Sequence, residues 1–103
     1  MTEFITVAKT DELKVGAPPI VVDIENTWVA IYNIDGEYFA IEDTCTHDGN
    51  PLAEGTVEGN IVTCPRHGAK FDIKTGKCLS IYADVRTYQV RVVGDEIQVG
   101  RRK

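Results

Sequence analysis

The chain has 103 residues, of which 43% are hydrophobic and 26% are charged, and its formal net charge is -5. This length is typical of one domain, so we expect residues 1–103 to form a single folded unit. The acidic balance argues against nucleic-acid binding, which needs clustered Lys and Arg. No apolar run approaches the ~20 residues of a membrane span, and the N-terminus does not resemble a secretory signal. We therefore expect a cytoplasmic protein without a membrane segment.

The hydrophobic pattern has a period of two along nearly the whole chain, which predicts an all-β fold. Short segments rich in β-branched and aromatic residues are separated by Gly, Asp and Asn. The predicted strands are Phe4 to Ala8, Ile20 to Ile24, Thr27 to Asn33, Tyr38 to Glu42, Asn60 to Cys64, Ala69 to Asp72, Tyr88 to Val93 and Glu96 to Val99. Eight short strands indicate an antiparallel β sandwich or a partly closed barrel.

Turn residues support this arrangement of strands. Asp35-Gly36 and Gly94-Asp95 are typical of tight hairpin turns. A single helical turn is predicted at Thr10 to Leu13, and no longer segment has a helical period.

Some aromatic and sulfur side chains are expected to have packing roles only. Four aromatic residues lie on predicted strand segments, so we expect them in a core or on a sheet face; they are Trp28, Tyr32, Tyr38 and Phe39. Cys78 is predicted to be a small buried hydrophobe rather than a redox group or a metal ligand.

Two short motifs place a cysteine close before a histidine. CTHDGN contains Cys45 and His47, and CPRHGA contains Cys64 and His67. Both motifs are predicted to lie on loops presented by the sheet, where binding sites are common. Two chemistries use two Cys and two His: a closed structural zinc site and a two-iron cluster with mixed ligands. Zinc sites more often use a Cys pair with a His pair, so one Cys and one His from each loop favours the cluster.

The flanking residues resemble the Rieske 2Fe-2S proteins. The resemblance rests on CTHDG, PLAEG, CPRHGAKFD and the terminal hairpin YQVRV with GDEIQV. It implies a Rieske-type antiparallel β fold whose cluster-binding loops lie at about residues 43–82. It also implies that Cys45 and Cys64 are the sulfur ligands of one 2Fe-2S cluster and that His47 and His67 are its nitrogen ligands.

Within this family, the chain looks like the free-standing ferredoxins of ring-hydroxylating dioxygenases. That resemblance implies a one-electron carrier rather than an enzyme, without catalytic residues. Its partners would be a flavoprotein reductase that uses NAD(P)H and a terminal oxygenase, met transiently by a monomer. The alternatives are a small Rieske subunit of a larger reductase, such as a nitrite reductase, and a structural zinc module.

The resemblance also predicts a low redox potential. Rieske clusters range from roughly -150 to +300 mV, against about -400 mV for four-cysteine clusters. Members with high potentials carry a disulfide between the two loops, and the matching positions here are Asn50 and Arg66. They also carry hydroxyl donors to the cluster sulfurs, where this chain has Ala69 and Phe71. We therefore expect a potential near the lower end of the Rieske range.

Overall fold

The computed structural model of the chain describes residues 3–43, 52–65, 68–80 and 83–100. These ranges contain strands and two short 3-10 turns, Thr10–Glu12 and Leu52–Glu54. The strands are β1 (Phe4–Lys9), β2 (Ile20–Ile24), β3 (Thr27–Ile34), β4 (Glu37–Glu42), β5 (Thr56–Glu58), β6 (Ile61–Thr63), β7 (Lys70–Asp72), β8 (Thr87–Tyr88), β9 (Val90–Val93) and β10 (Glu96–Gly100). None of the helical segments in the described ranges is long and apolar enough to cross a membrane.

The strands form three antiparallel sheets. The first has the order β1-β10-β9, the second β2-β3-β4-β8 and the third β5-β6-β7. Each sheet ends in two edge strands, so the described strands do not close into a barrel. The prediction of an all-β antiparallel fold, a sandwich or a partly closed barrel, is confirmed.

Strand β3 lies at the centre of the molecule, with a buried core on each of its faces. Its side chains alternate between the faces, as the period of two requires. The first core contains Leu13, which follows the turn Thr10–Glu12, and residues of the first and second sheets: Ala8, Ile24, Val29, Ile31, Ala40, Ile97 and Val99. The second core contains residues of the second and third sheets and their connections: Ala30, Tyr32, Ile34, Ile41, Leu52, Val62, Cys64, Ala69, Phe71, Ile73, Cys78 and Val85.

The third sheet lies within the part of the chain between β4 and β8. This part leaves the second sheet at Glu42 and returns at Arg86, and the Glu42 N–H donates to the Arg86 carbonyl (2.9 Å). One residue further into the sheet, Ile41 pairs with Thr87. The chain therefore leaves and re-enters the second sheet at adjacent points.

Apart from one-residue differences at several strand ends, the structure differs from the predicted strands in two places. The predicted strand from Tyr88 to Val93 is interrupted at Gln89, where the chain passes from the second sheet to the first. The Gln89 carbonyl accepts a hydrogen bond from Gly100 (2.8 Å), so its backbone remains tied to the first sheet. Strand β5 was not predicted, since its three residues are exposed and have no apolar alternation.

Of the two predicted positions, a core or a sheet face, Trp28 has the second. Its side chain is 58% exposed, although Tyr32 is buried and Phe39 packs against the second core. Trp28 lies at the start of β3, on the same face as Ala30 and Tyr32, but it is outside the cluster that the third sheet covers.

Candidate metal centre

Of the four predicted ligands, Cys64 is the one that lies within the described residues. It follows β6, and its side chain is 1% exposed within the second core. Its N–H donates to the Ala69 carbonyl (2.7 Å), and its carbonyl accepts the N–H of Gly68 (3.1 Å). These two bonds close the loop between β6 and β7, and they hold the Cys64 backbone at the end of a hairpin. The thiol is free, not part of a disulfide.

The other three predicted ligands, Cys45, His47 and His67, lie outside the described residues. Within the described ranges, no group of three or more His, Cys, Asp or Glu side chains could hold a metal ion. The four-residue ligand set therefore stays a prediction.

Asp43 and Leu52 flank the part of the chain that carries Cys45 and His47, and the structure places them together. Asp43 is 6% exposed, and its N–H donates to the Trp28 carbonyl (2.8 Å). Its carboxylate Oδ1 accepts the N–H of Ala53 (2.7 Å), and the carboxylate also accepts a hydrogen bond from the Leu52 backbone. Asp43 thus caps the 3-10 turn Leu52–Glu54, whose first residue is fully buried in the second core.

The same 3-10 turn leads directly to the hairpin that carries Cys64. The Gly55 N–H donates to the Leu52 carbonyl (2.8 Å) and ends the turn. Gly55 then lies so close to the backbone of Thr63 that a Cβ at position 55 would collide with the Thr63 carbonyl oxygen. Thr63 immediately precedes Cys64. The backbone at Gly55 therefore touches the β6–β7 hairpin directly before the predicted ligand.

Burial determines the electrostatics at this end of the second core. Burial raises the pKa of the Asp43 carboxyl above its ordinary value, while hydrogen bonds from the Ala53 and Leu52 backbone oppose that rise and the nearby Glu54 charge adds to it. Burial also raises the pKa of the Tyr32 hydroxyl, and the negative charge of Asp43 raises it further. Among the described residues, the buried Tyr32 hydroxyl has no hydrogen-bond partner.

Ala69 and Phe71 offer only carbon atoms near Cys64. Both side chains are buried in the second core, at 2% and 0% exposure. Neither carries a hydroxyl that could donate to a sulfur atom. Backbone N–H groups are therefore the donors that these positions of β7 and its preceding loop can provide.

The segment after β7 is fastened against the same hairpin. Cys78 forms a bridge with Phe71, and its N–H donates to Asp84 Oδ1 (2.7 Å). The Leu79 N–H donates to the Lys70 carbonyl (2.7 Å). Apolar residues beside the ligand loops could support these loops by packing; the candidates are Pro51, Leu52 and the stretch from Leu79 to Tyr82. Leu52 is buried, but the Leu79 side chain is 52% exposed, so Leu79 contributes its backbone instead. Pro51, Ile81 and Tyr82 lie outside the described residues.

The described part of the site fits a thiolate-bound iron-sulfur cluster. A buried thiolate without a cation nearby would be strongly unfavourable, whereas a soft metal centre compensates its charge. Cys64 provides such a buried thiol without a disulfide, on a backbone fixed by two hydrogen bonds. Cys78 is also buried, as predicted, but it lies on the bridge to Phe71 and its N–H is taken by Asp84.

Sequence reasoning did not identify Asp43 and Gly55 as parts of the site. Aspartate in a loop is commonly exposed to solvent, whereas Asp43 is buried and caps the turn Leu52–Glu54. One usable signal is the Asp at the end of an apolar strand, since aspartate commonly caps nearby backbone N–H groups. Nothing in the sequence indicates the close approach of Gly55 to Thr63.

The comparisons with known proteins agree on one family. The model of the Rieske [2Fe-2S] domain family matches residues 3–100. The ferredoxin component of the naphthalene 1,2-dioxygenase system of Pseudomonas aeruginosa is 31% identical over 80 residues, covering 76% of this chain and 77% of the relative. The ferredoxin component of biphenyl 2,3-dioxygenase of Rhodococcus jostii (strain RHA1) is 41% identical over 73 residues, covering 69% and 68%.

Solved structures agree with the fold. The structure described as a complex of reduced oxygenase and oxidized ferredoxin in carbazole 1,9a-dioxygenase contains a chain with a TM-score of 0.88 and 29% identity, covering 97% of this chain and 95% of that one. The putative NADH-dependent nitrite reductase small subunit from Mycobacterium tuberculosis has a TM-score of 0.89 and 25% identity, covering 100% and 98%.

Proposed function

The chain belongs to the Rieske [2Fe-2S] domain family, and from this premise we propose that it is a one-electron carrier of a ring-hydroxylating dioxygenase system. The observation that carries the proposal is the extent of the family match, since residues 3–100 include both Cys-His motifs. The curated relatives are ferredoxin components, which are carriers and not catalysts. We therefore assign no catalytic residue to the chain.

We propose that Cys45 and Cys64 hold one iron of the cluster and that His47 and His67 hold the other. When bound, such a cluster takes up and releases one electron at a time. The two imidazoles are neutral ligands, so they add no negative charge to the site and make reduction easier than four thiolates would. In the described structure, Cys64 has the burial and the fixed backbone that this role requires.

We propose that the electron passes from a flavoprotein reductase, supplied by NADH or NADPH, to a terminal oxygenase. A structurally similar ferredoxin has been solved in complex with an oxygenase, which supports the second partner. The reductase is inferred from the naming of the relatives as parts of dioxygenase systems. A carrier must dissociate between two partners, so we also propose a cytoplasmic monomer built as one domain.

A second candidate function is a small subunit of a larger reductase. Its specific support is the nitrite reductase small subunit, which matches the whole chain with a TM-score of 0.89. Such a subunit would carry the same cluster but would stay bound to its enzyme. The dioxygenase assignment has the stronger support, because the curated relatives named above are ferredoxin components of dioxygenases.

The spectrum of the purified protein tests the proposed cluster. We expect a red-brown protein that contains iron and acid-labile sulfide and gives a rhombic EPR signal after reduction. A colourless protein that contains zinc would contradict the proposal and support the structural zinc module. Gel filtration separates the two redox functions: a carrier elutes alone at low concentration, whereas an integral subunit elutes with its enzyme.

Hydroxyl groups introduced beside Cys64 should raise the midpoint potential. In Ala69→Ser or Phe71→Tyr, a new donor to a cluster or thiolate sulfur would stabilise the added negative charge by about 1 kcal/mol, within the usual range for hydrogen bonds. A one-electron couple changes by ~59 mV per tenfold change in equilibrium constant, so the expected rise is about 40 mV.

Redox titration followed by EPR or visible absorbance measures this rise. The matched control is Ala40→Ser, because Ala40 has the same 2% exposure as Ala69 but lies in the first core. Unchanged potentials in both Ala69→Ser and Phe71→Tyr, or an equal rise in Ala40→Ser, would contradict the explanation.

A further inference from the structure

We propose that Asp43 is a positioning residue of the cluster site and that it acts through a backbone brace formed by the turn Leu52–Glu54 and Gly55. The brace would hold the segment that carries Cys45 and His47 against the hairpin that carries Cys64. This inference rests on the proposed function, because it assumes the proposed ligands.

The first step of the argument is that Asp43 joins both flanks of one ligand segment. Segment 44–51 begins directly after Asp43 and ends directly before Leu52. The buried Asp43 carboxylate accepts the N–H of Ala53 at 2.7 Å and a hydrogen bond from the Leu52 backbone. The Asp43 N–H is itself fixed on the Trp28 carbonyl at 2.8 Å, which ties this closure to β3. The start and the return of the segment are thus fixed relative to each other and to the second sheet.

The second step is that Gly55, which follows the capped turn, lies directly against the backbone of the hairpin that carries Cys64. Gly55 ends the turn through its bond to the Leu52 carbonyl, and a Cβ at Gly55 would collide with the Thr63 carbonyl oxygen and lie 3.0 Å from the Thr63 carbonyl carbon. Backbone atoms cannot yield as a flexible side chain can. The following strand pair, with Thr56 opposite Thr63, continues this contact into β5 and β6. The position of Cys64 is therefore coupled to the turn that Asp43 caps.

The third step concerns what else could hold the two loops together. Asn50 and Arg66 cannot form a disulfide, because neither is a cysteine. A ligand constellation must be held to within about 0.5 Å by groups that are themselves fixed. Asp43, the turn Leu52–Glu54 and Gly55 form a continuous connection of this kind, and Leu52 anchors it in the second core at 0% exposure. A hydrogen-bonded brace would thus supply the spacing between the loops.

The test compares cluster-loaded variants that break the brace at each end. Asp43→Ala removes the acceptor, Asp43→Asn keeps one oxygen that can accept the Ala53 N–H, and Gly55→Ala forces Gly55 and Thr63 apart.

The matched control for Asp43 is Asp72→Asn, since Asp72 Oδ1 also accepts two N–H groups, from Lys74 (2.8 Å) and Asn60 (3.0 Å). Asp72 lies opposite Ile61, at the other end of the β6–β7 hairpin from Cys64. Gly59→Ala is the control for Gly55: Gly59 has a φ of +59° and a Cβ there meets nothing within 4 Å, so this variant adds backbone strain to the β5–β6 turn without a collision.

Two readouts separate positioning from general stability. The first is the rate of cluster loss to an iron chelator, followed by visible absorbance. We expect Asp43→Ala and Gly55→Ala to lose the cluster about 10- to 100-fold faster than the wild type, the usual cost of removing a partner behind a metal ligand. Asp43→Asn should fall between Asp43→Ala and the wild type, and both controls should stay within about twofold of the wild type. The second readout is the rhombic EPR signal. Its g values should shift or its lines should broaden in Asp43→Ala, but not in Asp72→Asn.

The proposal is overturned if Asp43→Ala keeps the wild-type rate and EPR signal, or if Asp72→Asn accelerates cluster loss as much as Asp43→Ala does. It is also overturned if Asp43→Asn shows no rescue relative to Asp43→Ala. If Asp43→Ala does not fold, Asp43→Asn must still lose its cluster faster than Asp72→Asn. Failure of the proposed function would be recognised separately, because the wild-type protein itself would then lack the iron and the EPR signal.

Discussion

Replacing Cys64 by alanine is expected to yield a protein without a cluster. The thiolate is the sulfur species that binds metals, and a cluster held by two thiolates and two imidazoles would lose half of its sulfur ligands. The expected result is loss of the red-brown colour, of the bound iron and of the rhombic EPR signal. Visible absorbance and iron analysis of the purified variant measure this loss directly.

Cys78→Ala is the matched control for this experiment. Cys64 and Cys78 are both free cysteines, and both are buried in the second core. Removing the Cys78 sulfur leaves a small void that costs about 1 kcal/mol, but it removes no proposed ligand. We expect Cys78→Ala to retain the cluster and its EPR signal. A coloured Cys64→Ala or a colourless Cys78→Ala would reverse the assignment of the two cysteines.

Gly76→Ala is expected to destabilise the fold strongly. Gly76 has a φ of +77°, and a Cβ there would collide with the Val85 carbonyl oxygen and lie 2.8 Å from Thr87 Cγ2. The Gly76 carbonyl also accepts the N–H of Val85 (2.8 Å), so the two backbones cannot separate without losing a hydrogen bond. The left-handed conformation costs about 1–2 kcal/mol for alanine, and the collision adds about 1–3 kcal/mol. The free energy of unfolding should therefore fall by about 2–5 kcal/mol.

Urea unfolding of Gly76→Ala and Gly36→Ala separates these two costs. Gly36 has a φ of +93°, but a Cβ at this position meets nothing within 4 Å. Gly36→Ala should lose only the conformational part, about 1–2 kcal/mol. An unchanged denaturant slope would show that stability alone has changed. Equal midpoints for the two variants would refute the close approach as the cause.

Most of the sheet structure could be predicted because alternation and turn chemistry are local signals. The Asp35-Gly36 turn has positive φ at both residues, 54° and 93°, and it joins β3 to β4 as expected. Strand β2 has the predicted bounds, and Thr10–Glu12 forms the predicted helical turn. These features depend on residues that are adjacent in sequence, so the amino-acid pattern is sufficient to indicate them.

The features that were not predicted depend on contacts between distant parts of the chain. The alternation continues through Gln89, so the sequence does not indicate that the chain changes sheets there. The sequence allowed Trp28 either a core or a sheet-face position, and its exposure follows only from how far the third sheet extends over β3. The cap at Asp43 and the close approach of Gly55 to Thr63 are likewise tertiary contacts. The motif of two Cys-His pairs suggested the ligands, but it contained no information about what positions the two loops relative to each other.

The chain leaves and re-enters the second sheet at adjacent points, Glu42 and Arg86, so the part between them could be exchanged as one piece. Insertions are tolerated where the two ends of the inserted piece lie close together on the surface of a host. Here the host is the sandwich of the first two sheets, and its two attachment points are joined by one hydrogen bond of 2.9 Å. The proposed cluster-binding part of the chain is therefore attached to a small β scaffold at two adjacent points. Exchanging residues 43–86 between relatives should transfer the redox potential while the sandwich and its outer surface stay unchanged.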